Sequence, residues 1–303
     1  MDEYIRPEKS AYSVKTNRIV TFLFAVLSLL CFLPVLLVMI VSVSSQASVD
    51  ANGYSFIPRG LSPEAYRYLA ASGSYLAGAF VNSVLITIAG TVIGLVLMCP
   101  MAYALSRKEY RFRNALLVFI MIPMLFSGGL VSSYMVNTQI LHLKNTYLAL
   151  ILPGLCSTWY ILIMRNYFSD AVPDSLVEAA KLDGCRHFQI LTRIVVPVAK
   201  PVMMTVAVFL MFMYWNSWYP SLLYLDSNHT DLYPLQYVLV NMERSIETIT
   251  RDAQFQTGMQ SYTPPAVTIR MAMVVIVILP VMILFPFFRK FLSTGLSVGA
   301  VKG

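Results

Sequence analysis

Glu178-Ala179-Ala180-Lys181-Leu182-Asp183-Gly184, followed after nine residues by Ile194-Val195-Val196-Pro197, stands in a polar stretch between two long apolar runs. Read locally, it is a short helix with a stop. Ser175-Leu176-Val177-Glu178 has the form of a capping box, with Ser175 at the N-cap and Glu178 three positions on. Gly184 falls where a left-handed residue ends a helix. Leu176, Ala179, Ala180 and Asp183 share one face at helical spacing. Two adjacent alanines leave that face low enough for another protein surface to approach closely. Beyond Gly184, Phe188, Leu191 and Val195 make a second apolar stripe, so residues 165–200 are expected to form two short helices. Glu178 has two readings: a cap for its own helix, or a charged contact for a partner.

The runs on either side identify the solvent. The chain of 303 residues is 57% hydrophobic and 12% charged, with a mean hydropathy of +0.67. A soluble domain carries about 25% charged residues, so a lipid bilayer is the expected surroundings. Uncharged runs cover residues 19–43, 76–105, 115–137, 146–164, 201–225 and 271–288. Each approaches the roughly 20 residues that a spanning helix needs, which predicts an all-α membrane protein with six transmembrane helices. The first run is too long for the roughly 7–15-residue core of a signal peptide.

Six helices put both termini on one side. If that side is the cytoplasm, sixteen of the 22 Lys and Arg lie inside, and only Arg59, Arg67, Lys144, Arg244, Arg251 and Arg270 lie outside. The bias fits the positive-inside rule and places the Glu-Ala-Ala loop in the cytoplasm. Residues 1–18 then form a cytoplasmic arm, and residues 19–303 form a single six-helix transmembrane domain. Its inner loop is 165–200, and its two long outer loops are 44–75 and 226–265. Residues 242–253 have the composition of a short outer helix.

Other chemistry is excluded. The net charge of +7 comes from residues scattered at the ends of apolar runs, with no compact basic domain for nucleic acid. Cys31, Cys99, Cys156 and Cys185 show no metal-ligand or redox spacing. No Gly-x-x-x-x-Gly-Lys-Ser/Thr loop is present, so the chain is not expected to bind ATP itself. The interiors of the six runs carry no Asp or Glu, which argues against an ion-coupled carrier. His142, His187 and His229 fall outside them, which argues against an intramembrane hydrolase.

Glu-Ala-Ala, three residues, Gly, nine residues and Ile-x-x-Pro resembles the cytoplasmic coupling motif of permease subunits in binding-protein-dependent ABC importers. The tail Gly295-Leu296-Ser297-Val298-Gly299-Ala300-Val301-Lys302-Gly303 resembles that of the maltose-type permease that pairs with a larger permease. Phe126-Ser127-Gly128-Gly129, Leu232-Tyr233-Pro234-Leu235-Gln236 and Trp215-Asn216-Ser217-Trp218 are similar to the oligosaccharide branch of the family. The likeness runs from about residue 81 to residue 303, and Val196 departs from the Leu often found there. It implies a type I importer permease in the plasma (inner) membrane, without enzyme activity of its own. It further implies a second permease subunit, an ATPase dimer holding ATP and Mg, an extracellular sugar-binding protein and an oligosaccharide substrate. By the same resemblance, Glu178, Ala179, Ala180, Asp183, Gly184 and Pro197 serve ATPase coupling, and Val301, Lys302 and Gly303 reach into the ATPase dimer. Another solute, such as a glycerol-phosphate compound, stays open within the class.

A solute path is expected from polar and aromatic residues inside the runs: Asn82, Tyr214, Asn216, Trp218 and Tyr219. Sugars stack C–H faces on aromatic rings and need amide or hydroxyl partners. The same aromatics also suit an interfacial belt, and the same polar groups suit bonds between helices. Gly90 and Gly94 have the spacing of a close helix crossing.

Overall fold

The computed structural model describes residues 14–255 and 266–297. Those residues are helical, with one isolated antiparallel bridge between Ser44 and Leu61 and no extended strand among them. The chain divides into two units, residues 1–71 with 246–278 and residues 72–245 with 279–303.

In the first unit, α1 (Val14–Ser42) is a long apolar helix whose Phe22, Leu23 and Phe24 are exposed. A helix apolar on every side needs an apolar surrounding. The Ser42 hydroxyl lies 2.9 Å from the Tyr66 hydroxyl, which joins the end of α1 to α3 (Glu64–Ala71). Between them, α2 (Gln46–Asn52) is capped by Ser45, whose side chain accepts from the Ser48 amide, and it ends at Gly53 with φ +71°.

In the second unit, α4 (Gly73–Ser106) is the central element, with α8 (Thr158–Ala171) and α12 (Lys200–Trp215) packed on it. Gly90 is what lets α12 approach, and Gly94 admits the Leu155 backbone. A Cβ on Gly90 would lie 2.4 Å from the Tyr214 ring, and one on Gly94 would lie 3.1 Å from the Leu155 carbonyl oxygen. The expected close crossing at these glycines is therefore observed.

Three helices are long and apolar enough to span a membrane: Lys15–Ser42, Gly73–Ser106 and Ala266–Phe287. They answer to the first, second and sixth apolar runs. The other three runs are broken. α5 (Arg113–Leu125) and α6 (Gly129–Met135), the latter continued by a π turn at Val136–Ile140, are bent by 115°. The bend falls at Phe126-Ser127-Gly128, where Gly129 takes φ +80°, a conformation suited to glycine. α7 (Tyr147–Ile151), with its 3₁₀ turn Leu152–Gly154, meets α8 at 50°. The fifth run was expected as one helix over 201–225. Instead α12 stops at Trp215, and α13 (Tyr219–Tyr224) begins after a gap, with Pro220 in its first turn.

After α8 come α9 (Asp174–Leu182), α10 (His187–Ile190), a π turn at Leu191–Val195 and α11 (Val196–Val198); the segment His187–Val198 meets α12 at 82°. After α13, a 3₁₀ turn at Thr230–Leu232 leads to α14 (Leu235–Phe255), longer than the short helix expected at 242–253. α15 (Ala266–Ser297) completes the described residues, and the boundary between units falls within α14 and α15.

Candidate functional site

The inner loop is organised around α9. Pro173 precedes it with φ −58° and ψ 148° and occupies the N-cap without a side-chain bond. A residue before proline is driven out of the helical region, so Val172 cannot continue α8. The capping box expected at Ser175 does not form: the helix starts two residues earlier than that cap implies, and Ser175 lies inside its first turn. Asp174 takes the acidic position that a helix N-terminus favours.

The C-terminal end matches the expectation. Gly184 has φ +80°. Its amide donates to the Lys181 carbonyl at 3.0 Å, and the Cys185 amide donates to the Ala180 carbonyl at 3.0 Å. These two bonds make a Schellman motif that satisfies the last carbonyls of α9.

The faces of α9 differ from the expectation in one respect. Val177 and Ala180 are buried against the chain itself, so Ala180 is not on the open face. Leu176, Glu178, Ala179, Leu182 and Asp183 are exposed. Leu182 is 90% exposed and was missed; its apolar side chain three residues after Ala179 was the signal. In the second stripe, Leu191 and Val195 are buried while Phe188 is exposed. Pro197 is exposed in the first turn of α11. It has no N–H to give the Arg193 carbonyl, and the turn before it widens into the π conformation at Leu191–Val195.

Two ion pairs join α9 to the turn after α4. Arg107, with a side chain 8% exposed, lies 3.2 Å from the Asp174 carboxylate. Lys181 pairs with Glu109. The hydrogen bond and charge of Lys181 hold the Glu109 carboxyl below the usual carboxylate range, with smaller help from His187 and Arg107. Arg107, Glu109 and His187 also line a cleft of about 370 Å³. Sequence reading did not find these pairs, because partners more than 60 residues apart leave no local pattern.

The proposed path residues separate into two groups. Asn82 is buried, and its amide donates to the carbonyls of Asp231 at 2.6 Å and Tyr233 at 3.1 Å. Its side-chain oxygen accepts from the Tyr147 hydroxyl at 2.8 Å. Tyr214 is buried, with its hydroxyl donating to the Ile151 carbonyl at 2.8 Å. In this conformation both side chains serve packing and loop anchorage. Asn216, Trp218 and Tyr219 sit at the break after α12. Asn216 is not within a helix as expected; it is the C-cap, exposed, and donates to the Phe212 carbonyl at 2.9 Å. The rings of Trp218 and Tyr219 meet edge to face at 5.7 Å, and the Arg244 guanidinium lies 5.8 Å from the Trp218 ring centre. Because residues 216–218 are not helical, Trp215 and Trp218 do not share a helix face. Val301, Lys302 and Gly303 lie outside the described residues. Among the described residues, no group of three His, Cys, Asp or Glu is placed to hold a metal ion.

Comparison with known proteins bears on the family. The family model described as "Binding-protein-dependent transport system inner membrane component" matches residues 90–298. Protein LplC of Bacillus subtilis (strain 168) is 35% identical over 273 residues, 89% of each chain. The polygalacturonan/rhamnogalacturonan transport system permease protein YtcP of the same organism is 34% identical over 279 residues, covering 91% of this chain and 94% of the relative. One chain in the crystal structure of a bacterial ABC transporter involved in the import of the acidic polysaccharide alginate superposes with a TM-score of 0.76. It is 26% identical, and the match covers 94% of this chain and 99% of that one.

Proposed function

This chain belongs to the family of binding-protein-dependent transport system inner membrane components, and on that premise we propose that it is the permease subunit of an ABC importer for an oligosaccharide or related glycan. The observation that carries the solute class is likeness over nearly the whole chain to a polygalacturonan/rhamnogalacturonan permease and to a chain of an alginate importer. Family membership sets aside an ion-coupled carrier.

In this reading three continuous helices and the three broken runs, residues 113–140, 147–171 and 200–224, make six spans, and both termini face the cytoplasm. The distribution of Lys and Arg supports that orientation. The exposed side of α9, with Leu176, Glu178, Ala179, Leu182 and Asp183, docks on a separate ATPase that holds ATP and Mg. The tail ending in Val301, Lys302 and Gly303 reaches the same partner. One subunit supplies half a translocation path, so a second permease completes it, and an extracellular sugar-binding protein delivers the solute. Transport follows alternating access. Closure of the ATPase dimer moves α9, and the membrane helices rock between inward-open and outward-open states, each ligand biasing the state it binds better. At the outer end, Asn216, Trp218 and Tyr219 offer an amide and two rings to a passing sugar.

The test is reconstitution of the assembled complex in vesicles with its binding protein, and ATPase measurement against a panel of uronic-acid and neutral oligosaccharides. Stimulation by at least one glycan is expected, with its uptake into the vesicles. Stimulation confined to a non-carbohydrate solute, such as a glycerol-phosphate compound, would overturn the solute class while keeping the transporter.

A further inference from the structure

Arg107 makes a joint out of three helix ends. Its Nε donates to the Ser106 hydroxyl at 3.0 Å in the last turn of α4. Its Nη2 donates to the Phe168 carbonyl at 2.8 Å, and its Nη1 donates to the Val172 carbonyl at 3.1 Å. Those acceptors lie in and just after the last turn of α8, where a cation is favoured; the Phe168 carbonyl also accepts from the Val172 amide at 3.2 Å. The same Nη1 lies 3.2 Å from the Asp174 carboxylate in the first turn of α9. One buried guanidinium therefore bonds the end of α4, the end of α8 and the start of α9. No single ammonium has a fork wide enough to do this.

Neighbouring bonds reinforce the joint. Arg165 on α8 and Arg113 on α5 both donate to the Leu105 carbonyl, at 3.3 and 3.0 Å. The Ser169 hydroxyl donates to the Ser106 carbonyl at 3.4 Å. At the far end of α9, Lys181 pairs with Glu109. Asp174 and Lys181 are seven residues apart, about 10 Å along the axis at roughly 1.5 Å per residue, and nearly on one face. The two attachments differ in kind. Arg107 is buried, whereas the Glu109 side chain is 57% exposed, and an exposed pair holds weakly.

We infer that Arg107 is a positioning residue for coupling: it fixes the start of α9 to the inner end of α4, so that displacement of the docking helix is passed to the helix on which α8 and α12 pack. The inference rests on the reading that α9 docks on the ATPase. A helix attached only through flexible loops would yield locally when pushed. A helix bonded at its root to two membrane helices carries them with it. Glu109 and Lys181 keep the far end of α9 seated when the ATPase is not pulling.

The experiment uses the full complex in vesicles, with Arg107→Gln, Arg107→Lys and Asp174→Ala compared with the unsubstituted chain. Three quantities are read: ATPase recovered with the permease, basal ATP hydrolysis, and solute imported per ATP hydrolysed. The expected result is normal recovery and basal hydrolysis. Import per ATP should fall at least about fivefold in Arg107→Gln, the lower end of a typical coupling effect between sites. Arg107→Lys should fall less, because it keeps the charge beside Asp174. Unchanged import per ATP in Arg107→Gln overturns the inference. So does a loss of import and hydrolysis that tracks the amount of assembled permease, since that is the signature of fold support alone. Should Arg107→Gln fail to assemble, Asp174→Ala decides, because it removes the acceptor on α9 at a half-exposed side chain and leaves the guanidinium on α8; an unchanged ratio there overturns the inference. Failure of any ATPase to accompany the unsubstituted chain would sink the docking reading itself. Normal recovery with an unchanged ratio sinks the inference alone.

Discussion

Replacing Gly90 by Ala puts a methyl group where the Tyr214 ring already sits. The ideal Cβ lies 2.4, 2.5 and 2.8 Å from three ring atoms, far inside contact distance. The ring has little room to withdraw. Its hydroxyl is bonded to the Ile151 carbonyl at 2.8 Å, and a Cβ on Gly154 would meet that same hydroxyl at 3.0 Å. Overpacking of this kind costs about 1–3 kcal/mol, and a contact this close to a ring held at its hydroxyl belongs near the upper end. Alanine in place of glycine returns about 1 kcal/mol of helix propensity. The net loss is then about 2 kcal/mol from the upper figure, or a fall in melting temperature of about 3 °C for a chain of 303 residues. The assay is thermal unfolding of the purified complex, with Gly90→Ala introduced alone and in a Tyr214→Ala background. Tyr214→Ala alone should cost about 3–5 kcal/mol, as for other large aromatic truncations. In that background the added methyl meets a void, so Gly90→Ala should raise the melting temperature instead of lowering it. An equal fall in both backgrounds would refute the reasoning, because it would mean that the glycine is needed for something other than the ring. Tyr214→Phe keeps the ring and removes one bond, at about 1 kcal/mol; the sugar response per assembled complex should not change. A changed response would return Tyr214 to the solute path.

Two further outcomes are expected. If α9 docks on the ATPase as proposed, Glu178→Lys should lower the recovery or stimulation of the ATPase while leaving the membrane helices folded, since Glu178 is exposed on α9. Ser175→Ala should stay within about 0.5 kcal/mol of neutral, because no capping bond is lost; equal transport defects from the two changes would point to helix integrity instead of charge. In a background without Cys31, Cys99, Cys156 and Cys185, a single cysteine at His142 or His229 should react with an impermeant reagent added outside, and one at Lys108 or Lys181 should not. Outside labelling at Lys181 would invert the orientation and remove α9 from the ATPase.

Much of α9 was readable because its signals are local. Gly184 ends α9 in the left-handed conformation that its position announces, and the two bonds that close the motif connect residues three and five apart. The start of the same helix was misread because two local signals compete there. Ser175 suits an N-cap, but Pro173 fixes the backbone two residues earlier, and Asp174 gains a partner in Arg107 that lies 67 residues away in sequence. Ala180 was assigned to the open face because adjacent alanines look alike; burial against the chain chose between them.

The sequence by itself determined the solvent and the scale of the elements. Apolar runs of spanning length with few charges require lipid, and glycines four apart require a close crossing, because composition and spacing act through the helix itself. The tertiary structure decided where the runs break, and it decided the use of each polar group inside them. Asn82 is held by the carbonyls of Asp231 and Tyr233, 149 and 151 residues on; Tyr214 is fitted between two glycines on other helices; Arg107 gathers three helix ends. A buried polar group takes whichever partner the packing brings within about 3 Å, and that partner has no fixed distance along the chain.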